Sequence, residues 1–209
     1  MMLTLDSVTR RYGNLIAVDA VSLSLATGER HAIVGPNGAG KTTLLDLVAG
    51  AIRPHAGRIV WRGRDVTRVG AVGRAKLGIV RTHQQPAVWP ALTALDNVVV
   101  GGWRFGGRRA SLGVLDSVGL VDVARVPAGE LSHGQRRLLE LAIALAGNPR
   151  LLVLDEPTAG LFPDDVEQLA KLLANLPADV AVLIVEHHLE FACAVTEAIT
   201  VMRDGRAVN

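Results

Sequence analysis

The segment Gly35-Pro36-Asn37-Gly38-Ala39-Gly40-Lys41-Thr42 constrains this chain more than any other. It fits the pattern G-x-x-x-x-G-K-[ST], is followed by a further threonine, Thr43, and lies between an apolar run, His31–Val34, and a helical pattern, Lys41–Ala49. A strand that turns through glycines straight into a helix can aim successive backbone N–H groups at one anion, and the helix N-terminus adds favourable partial charge. The ligand suited to such a loop is a polyphosphate. Lys41 is placed to neutralise β- and γ-phosphates, and the Thr42 hydroxyl to ligate Mg²⁺. The strand before and the helix after distinguish this loop from a glycine-rich turn carrying an exposed lysine.

A phosphate loop of this kind needs a parallel sheet behind it, and the rest of the chain supplies one. Short β-like runs recur at Leu3–Val8, Val21–Leu25, His31–Val34, Arg58–Trp61, Gly78–Arg81, Leu151–Leu154, Val180–Val185 and Ala198–Met202, the last ahead of a turn at Arg203-Asp204-Gly205. Helical patterns alternate with them at Lys41–Ala49, Thr93–Val100, Ala110–Val118, Gln135–Ala146, Pro163–Leu176 and His188–Val195. Leu151–Leu154 and Val180–Val185 are apolar throughout, as parallel strands buried on both faces require. The expected fold class is α/β with a mainly parallel sheet. Residues 86–130 have few β-branched runs and are expected to form a short helical insertion.

A second site follows from the first. Leu151-Leu152-Val153-Leu154 ends in Asp155-Glu156. A buried strand would deliver Asp155 to its C-terminal edge beside the phosphate loop, where it can hold Mg²⁺. Glu156 is then placed to act as general base on a water in line with the γ-phosphate.

Composition narrows the class. With 49% apolar and 20% charged residues, the chain is neither disordered nor an acidic tail. Its longest uncharged stretch, Thr82–Leu95, has 14 residues and two prolines, short of the ~18 apolar residues of a spanning helix. The start, MMLTLDSVTRRYG, has no positive-then-apolar leader, so a cytoplasmic location is expected. The single cysteine, Cys193, has no Cys or His at zinc-ligand spacing. The net charge of +2 hides an asymmetry: residues 53–109 hold eleven Arg or Lys against Asp65 and Asp96. Such a block either solvates a face or meets phosphates, a membrane surface or an acidic partner.

Leu131-Ser132-His133-Gly134-Gln135, followed by RRLLELAIALAGNP and then the strand of Asp155, resembles the signature region of the ATP-binding cassette family, the nucleotide-binding subunits of ABC transporters. The usual signature is L-S-G-G-Q, and His133 stands at its first glycine. Other family motifs occur in order. Tyr12 precedes Gly13 at the family's adenine-stacking position, Gln84 lies at the Q-loop, Ala159-Gly160-Leu161 at the D-loop, and His187 at the switch histidine. The resemblance covers nearly the whole chain. It implies a P-loop NTPase fold with an N-terminal antiparallel β part. The core would comprise residues 1–85 and 131–209, with the helical subdomain at 86–130, all within a single 1–209 domain.

The family's cofactors are ATP and Mg²⁺, and its chemistry is ATP hydrolysis coupled to transport. By resemblance, Gly35, Pro36, Asn37, Gly38, Ala39, Gly40, Lys41, Thr42 and Thr43 would bind phosphates. Thr42, Gln84 and Asp155 would hold the metal, and Glu156, His187 and Gln84 would act in catalysis. Ser132, Gly134 and Gln135 would face the γ-phosphate of a second subunit, in a head-to-tail homodimer or a heterodimer with a paralogue. Membrane permease subunits are the expected partners, which places the chain on the inner face of the cell membrane. The permease would dock on the surface from Gln84 to Gly107, with Trp89, Leu92, Trp103 and Phe105; these aromatics alternatively fill the insertion's own core.

Gly78-Ile79-Val80-Arg81-Thr82-His83-Gln84, Asp155-Glu156-Pro157-Thr158-Ala159-Gly160-Leu161, Val185-Glu186-His187 and Leu139-Glu140 are similar to the ATPases of branched-chain amino acid and urea importers. Relative to that branch, the interval between Gln84 and Leu131 is short, His83 and His188 replace Phe and Asp, and the chain stops at Asn209 before the usual C-terminal segment. The expected function is thus the ATPase of an importer for branched-chain amino acids, urea or related small solutes. The alternative class is a soluble ABC ATPase acting on nucleic acid or in cofactor assembly; nucleic acid is disfavoured by the lack of a coiled-coil insertion.

Overall fold

A computed structural model describes residues 1–82, 87–103 and 106–208. The N-terminal strands β1 (Leu3–Tyr12) and β2 (Leu15–Leu25) form a hairpin, and β3 (Arg30–Val34) leads into α1 (Lys41–Ala49). There follow β4 (Ala56–Trp61), β5 (Arg64–Asp65), α2 (Ala71–Lys76) and β6 (Ile79–Arg81). The helical segment holds α3 (Ala94–Gly101) and α4 (Gly107–Ser117), with two short 3₁₀ turns at Val121–Val123 and Ala128–Glu130. The chain then alternates: α5 (His133–Ala146), β7 (Leu151–Asp155), α6 (Pro163–Ala174), β8 (Ala181–Val185), α7 (Leu189–Val195), β9 (Ala198–Arg203) and β10 (Arg206–Val208).

Among the described residues these strands make two sheets. One is antiparallel, in the order β2-β1-β4-β5; the other runs β10-β9-β3-β8-β7-β6 and is parallel except for the β9–β10 pair. The fold is therefore α/β with a mainly parallel sheet and an N-terminal antiparallel part. The unbroken apolar runs in β3, β7 and β8 have a direct cause. Ala32, Val34, Leu152, Leu154, Val182 and Ile184 enter one core, shared with α3 to α7. Their neighbours Ile33, Leu151, Val153, Ala181, Leu183 and Val185 enter a second core, shared with α1 and the antiparallel sheet. Each face of the parallel sheet thus has its own apolar layer, and a polar residue at either parity would be buried.

Three differences from the sequence expectation stand out. β1 and β2 extend well past Val8 and before Val21, because the pair contains irregular register steps between Leu5 and Arg11 and positive φ values at Ser7 and Ala20. Such bulges break the period-2 alternation that marks a strand in sequence. α2 was not expected; its Arg74 is fully buried and donates to the carbonyls of Leu47, Val48, Val66 and Val69, closing the C-terminal end of α1. β10 pairs with β9 across the expected Asp204-Gly205 turn.

Candidate functional site

In the parallel sheet β3, β8 and β7 are adjacent, and Val185 pairs with both Ile33 and Asp155. The C-terminal ends of these three strands therefore deliver, side by side, the phosphate loop, Glu186-His187 and Asp155-Glu156. The crevice outside the carboxyl ends of parallel strands is where α/β folds bind ligands. Here it is a cleft of about 610 Å³ lined by Tyr12, Asn37 to Thr43, Glu156 and His187, together with Leu15, Ala17, Asp204 and Gly205.

The loop presents a helix end with no internal satisfaction. Gly40 caps α1 at φ +94°, no side chain caps the helix, and its first turn holds no acid. The first N–H groups of a helix have no intrahelical acceptor, so those of α1 are left to an anion. Lys41 is buried at 6% exposure, and its Nζ donates to the carbonyls of Gly35 and Pro36 at 2.8 and 2.9 Å. Burial lowers its pKa from the usual lysine value, opposed by the charges of Glu156 and Asp155. The loop is fastened from behind by the β9–β10 turn, where Gly205 N–H donates to the Ala39 carbonyl at 3.1 Å and Gly205 O accepts from Asp19 N–H at 2.8 Å.

Asp155 is 1% exposed at the end of β7. One oxygen, Oδ2, accepts from Arg81 Nη2 at 2.9 Å, and the same guanidinium also bonds Asp46 on α1. The other, Oδ1, is buried without a hydrogen-bond partner among the described residues. Burial raises the Asp155 pKa above the usual carboxylate value, and the Arg81 contact opposes that rise. An orphaned buried carboxylate oxygen suits a cation. No cluster of three or more His, Cys, Asp or Glu side chains that could hold a metal occurs among the described residues. Thr42, which lines the cleft, could add a hydroxyl oxygen to such a cation, with phosphate oxygens and water beside it.

Glu156 follows at φ +46°, a left-handed conformation that costs about 1–2 kcal/mol for a residue with a side chain. Its N–H donates to Val185 O at 2.9 Å, and its Oε1 lies 2.9 Å from His187 Nε2. His187 is held in turn by Glu186, a buried carboxylate at 2% exposure. Glu186 Oε1 accepts from the N–H and hydroxyl of Thr158, at 3.0 and 2.8 Å, and its Oε2 from the N–H groups of His187 and His188, at 3.1 and 3.3 Å.

The structure places the remaining sequence-derived candidates as follows. Tyr12 is 45% exposed at the cleft, and one face of its ring carries the Arg10 guanidinium at 4.8 Å. Gly35 and Pro36 serve through their carbonyls on Lys41. Gln84 lies outside the described residues, as do His83 and Phe105. Ser132, Gly134 and Gln135 do not line this cleft. Ser132 caps α5 by a capping box: its Oγ accepts from Gln135 N–H at 3.1 Å, and its N–H donates to Gln135 Oε1 at 2.9 Å. A Cβ at Gly134 would meet the Asp165 carboxylate of α6, a side-chain end that would have to move aside. Sequence reasoning missed Arg10, although Arg10 and Tyr12 at i and i+2 share a strand face. It also missed Arg81, Arg137 and the brace role of Glu186.

Comparison with known proteins follows the same lines. The family model described as "ABC transporter" matches residues 18–159. The chain is 36% identical over its full length to the ribose import ATP-binding protein RbsA 1 of Rubrobacter xylanophilus, of which it covers 44%. It is 31% identical to the high-affinity branched-chain amino acid transport ATP-binding protein BraF of Pseudomonas aeruginosa, covering 98% of this chain and 89% of that one. The chain thus spans less than half the length of the ribose-import relative and most of BraF. Its fold matches a dimeric, post-hydrolysis ATP-binding cassette, MJ0796, bound to ADP and phosphate, with a TM-score of 0.87 and 28% identity, covering 100% of this chain and 97% of that one.

Proposed function

Because the chain belongs to the ABC transporter family, we propose that it is the ATP-hydrolysing subunit of an importer for a small polar solute. The observation that carries this reading is the convergence, in one cleft, of an uncapped phosphate loop, Tyr12 and the Glu156–His187 pair at 2.9 Å. Tyr12 stacks on the adenine, and the N–H groups of residues 37–43 with Lys41 hold the phosphates. Lys41 then exchanges the carbonyls of Gly35 and Pro36 for phosphate oxygens. Thr42 and Asp155 would hold Mg²⁺, with Gln84 as the family resemblance implies, and the ion would supply positive charge to the phosphates. Glu156 takes the proton of the attacking water as general base, and His187 orients that carboxylate and bonds the γ-phosphate.

The signature residues Ser132, Gly134 and Gln135 complete the site of a second copy or a paralogue, in keeping with their place outside this subunit's cleft. Ser132 keeps its hydroxyl hydrogen for that phosphate while its oxygen serves the capping box. Residues 86–130 act as the helical subdomain that meets the permease. Trp103 and Trp89 are 74% and 47% exposed there, rather than filling a core. The described residues contain no helix long and apolar enough to cross a membrane; in this reading, permease subunits span the membrane and carry the solute, and this chain docks on them at the inner face. Relatives named for ribose and for branched-chain amino acid transport both support a small polar solute. The test is phosphate release from Mg-ATP by the purified chain, followed against protein concentration. A rate per chain that rises as dimers form supports the proposal; absence of hydrolysis at every concentration and with permease added would refute it.

A further inference from the structure

Arg137 lies in the second turn of α5, five residues after the Ser132 cap, and is 1% exposed. Its Nη2 donates to the carbonyls of Asp155 and Glu156 at 2.9 and 3.0 Å, and its Nε to that of Pro157 at 3.2 Å. Its Nη1 donates to the buried Glu140, one turn along the same helix, at 2.7 Å. Successive residues of an extended strand face opposite ways, so three consecutive carbonyls converge on one cation only where the chain turns. The turn is at Glu156, the residue at φ +46°. The same conformation sets the Glu156 carboxylate against His187.

We infer that Arg137 is a positioning residue for Glu156, fixing the backbone of the catalytic loop from the signature helix. The inference rests on the role given to Glu156 above. A guanidinium suits the task because its N–H donors lie in one rigid plane and can reach three carbonyls and a carboxylate together. An ammonium has three donors and the geometry of a point charge. Glu140 neutralises the buried cation, so the carbonyls are held by a pair with no net charge. The placement also joins two functions of one subunit. Ser132 and Arg137 are separated by about 7.5 Å of rigid helix. Closure of the signature on a partner's nucleotide therefore bears directly on the backbone that carries this subunit's own base.

Two variants test the inference. Arg137→Lys keeps the charge beside Glu140 and loses the planar fork. Arg137→Met/Glu140→Leu removes both buried charges together, so neither is left unpaired, although the three carbonyls lose this donor, and thermal unfolding checks that the variant folds. Each is expected to bind ATP within about twofold of wild type while kcat falls about 30-fold, equivalent to ~2 kcal/mol of barrier. The decisive readout is the same substitution in a Glu156→Gln background, followed by single-turnover phosphate release. With no base left to position, residual turnover should change less than twofold. An equal loss in both backgrounds, or an unchanged kcat in the wild-type background, overturns the inference and leaves the ATPase assignment standing. A fully active Glu156→Gln protein overturns the role of Glu156 itself, and the inference with it.

Discussion

Gly38 and Gly40 sit two residues apart in the phosphate loop, both at positive φ, and the structure makes them fail in different ways. A Cβ on Gly40 would lie 2.0 Å from the backbone carbonyl oxygen of Ala17, and this residue also caps α1 at φ +94°. Neither the β2 backbone nor the helix end can withdraw by an ångström without disturbing the second core. Overpacking of this kind costs about 1–3 kcal/mol, and the left-handed conformation about 1–2 kcal/mol more. Gly40→Ala should therefore lose about 2–5 kcal/mol, or roughly 4–20 °C in Tm at about 2–4 °C per kcal/mol for a chain of this size. A Cβ on Gly38 meets no atom within 4 Å, so only the backbone strain applies. Gly38→Ala should lose about 1–2 kcal/mol and roughly 2–8 °C.

Nucleotide binding gives a second readout, since both glycines line the cleft. Gly38 lines the cleft, and tilting its N–H away from a phosphate removes one hydrogen bond to a charged group, about 1.5–3 kcal/mol or roughly 10- to 150-fold in affinity. Thermal unfolding without nucleotide, paired with calorimetric titration of ATP, measures both effects. Equal Tm losses in the two variants, or wild-type ATP affinity in Gly38→Ala, would refute the contact argument.

Three further outcomes are expected. Glu156→Gln preserves an oxygen for His187, should slow phosphate release by about 10²–10⁴, and should accumulate as an ATP-bound dimer in size-exclusion chromatography; turnover within threefold of wild type would remove Glu156 from the mechanism. Ser132→Arg should abolish hydrolysis with ATP affinity of the monomer nearly unchanged, and mixing with Lys41→Ala should restore part of the activity; normal hydrolysis by Ser132→Arg alone would exclude the head-to-tail arrangement. Trp103→Glu should keep basal hydrolysis within about threefold, a change below ~1 kcal/mol of barrier, while losing co-purification with the cognate permease; retained capture would move the docking surface elsewhere.

The parallel sheet could be located from sequence because β7 and β8 place alternate residues in two separate cores, which forces unbroken apolar runs. α1 and α5 were equally plain, having nine and fourteen residues over which a helical period repeats. The six residues of α2 and three of β10 give no period to detect. They are fixed by tertiary partners instead, α2 by the Arg74 bonds to four carbonyls and β10 by pairing with β9. The site divides in the same way. Phosphate loops and strand-end carboxylates need particular side chains at fixed local spacing, so Asn37 to Thr43 and Glu156 could be named in advance, whereas Leu15, Ala17, Asp204 and Gly205 reach the cleft only through the fold. Arg137 and Arg81 act across the fold, one on backbone carbonyls and the other on two carboxylates from different elements. A carbonyl acceptor belongs to every residue type, and so leaves no trace in composition or spacing.

The buried groups around the cleft have an internal logic. The segment after β7 is held from two sides: Arg137 takes its carbonyls at Asp155, Glu156 and Pro157, and Glu186 takes the N–H and hydroxyl of Thr158. Glu186 also takes the N–H groups of His187 and His188, so one carboxylate sets the spacing between the segment bearing Glu156 and the segment bearing His187. These bonds are all made within the protein itself, as preorganisation of the proposed Glu156–His187 pair requires. Lys41 and Asp155 are different. Burial pushes both toward their neutral forms, lowering the pKa of one and raising that of the other, and Asp155 Oδ1 has no protein partner among the described residues. A phosphate beside Lys41 and a cation beside Asp155 would each favour the charged form that burial disfavours. The cleft is thus braced by hydrogen bonds where orientation matters and electrostatically unsatisfied where charge must bind. A metal–polyphosphate, carrying both signs of charge, relieves both groups at once.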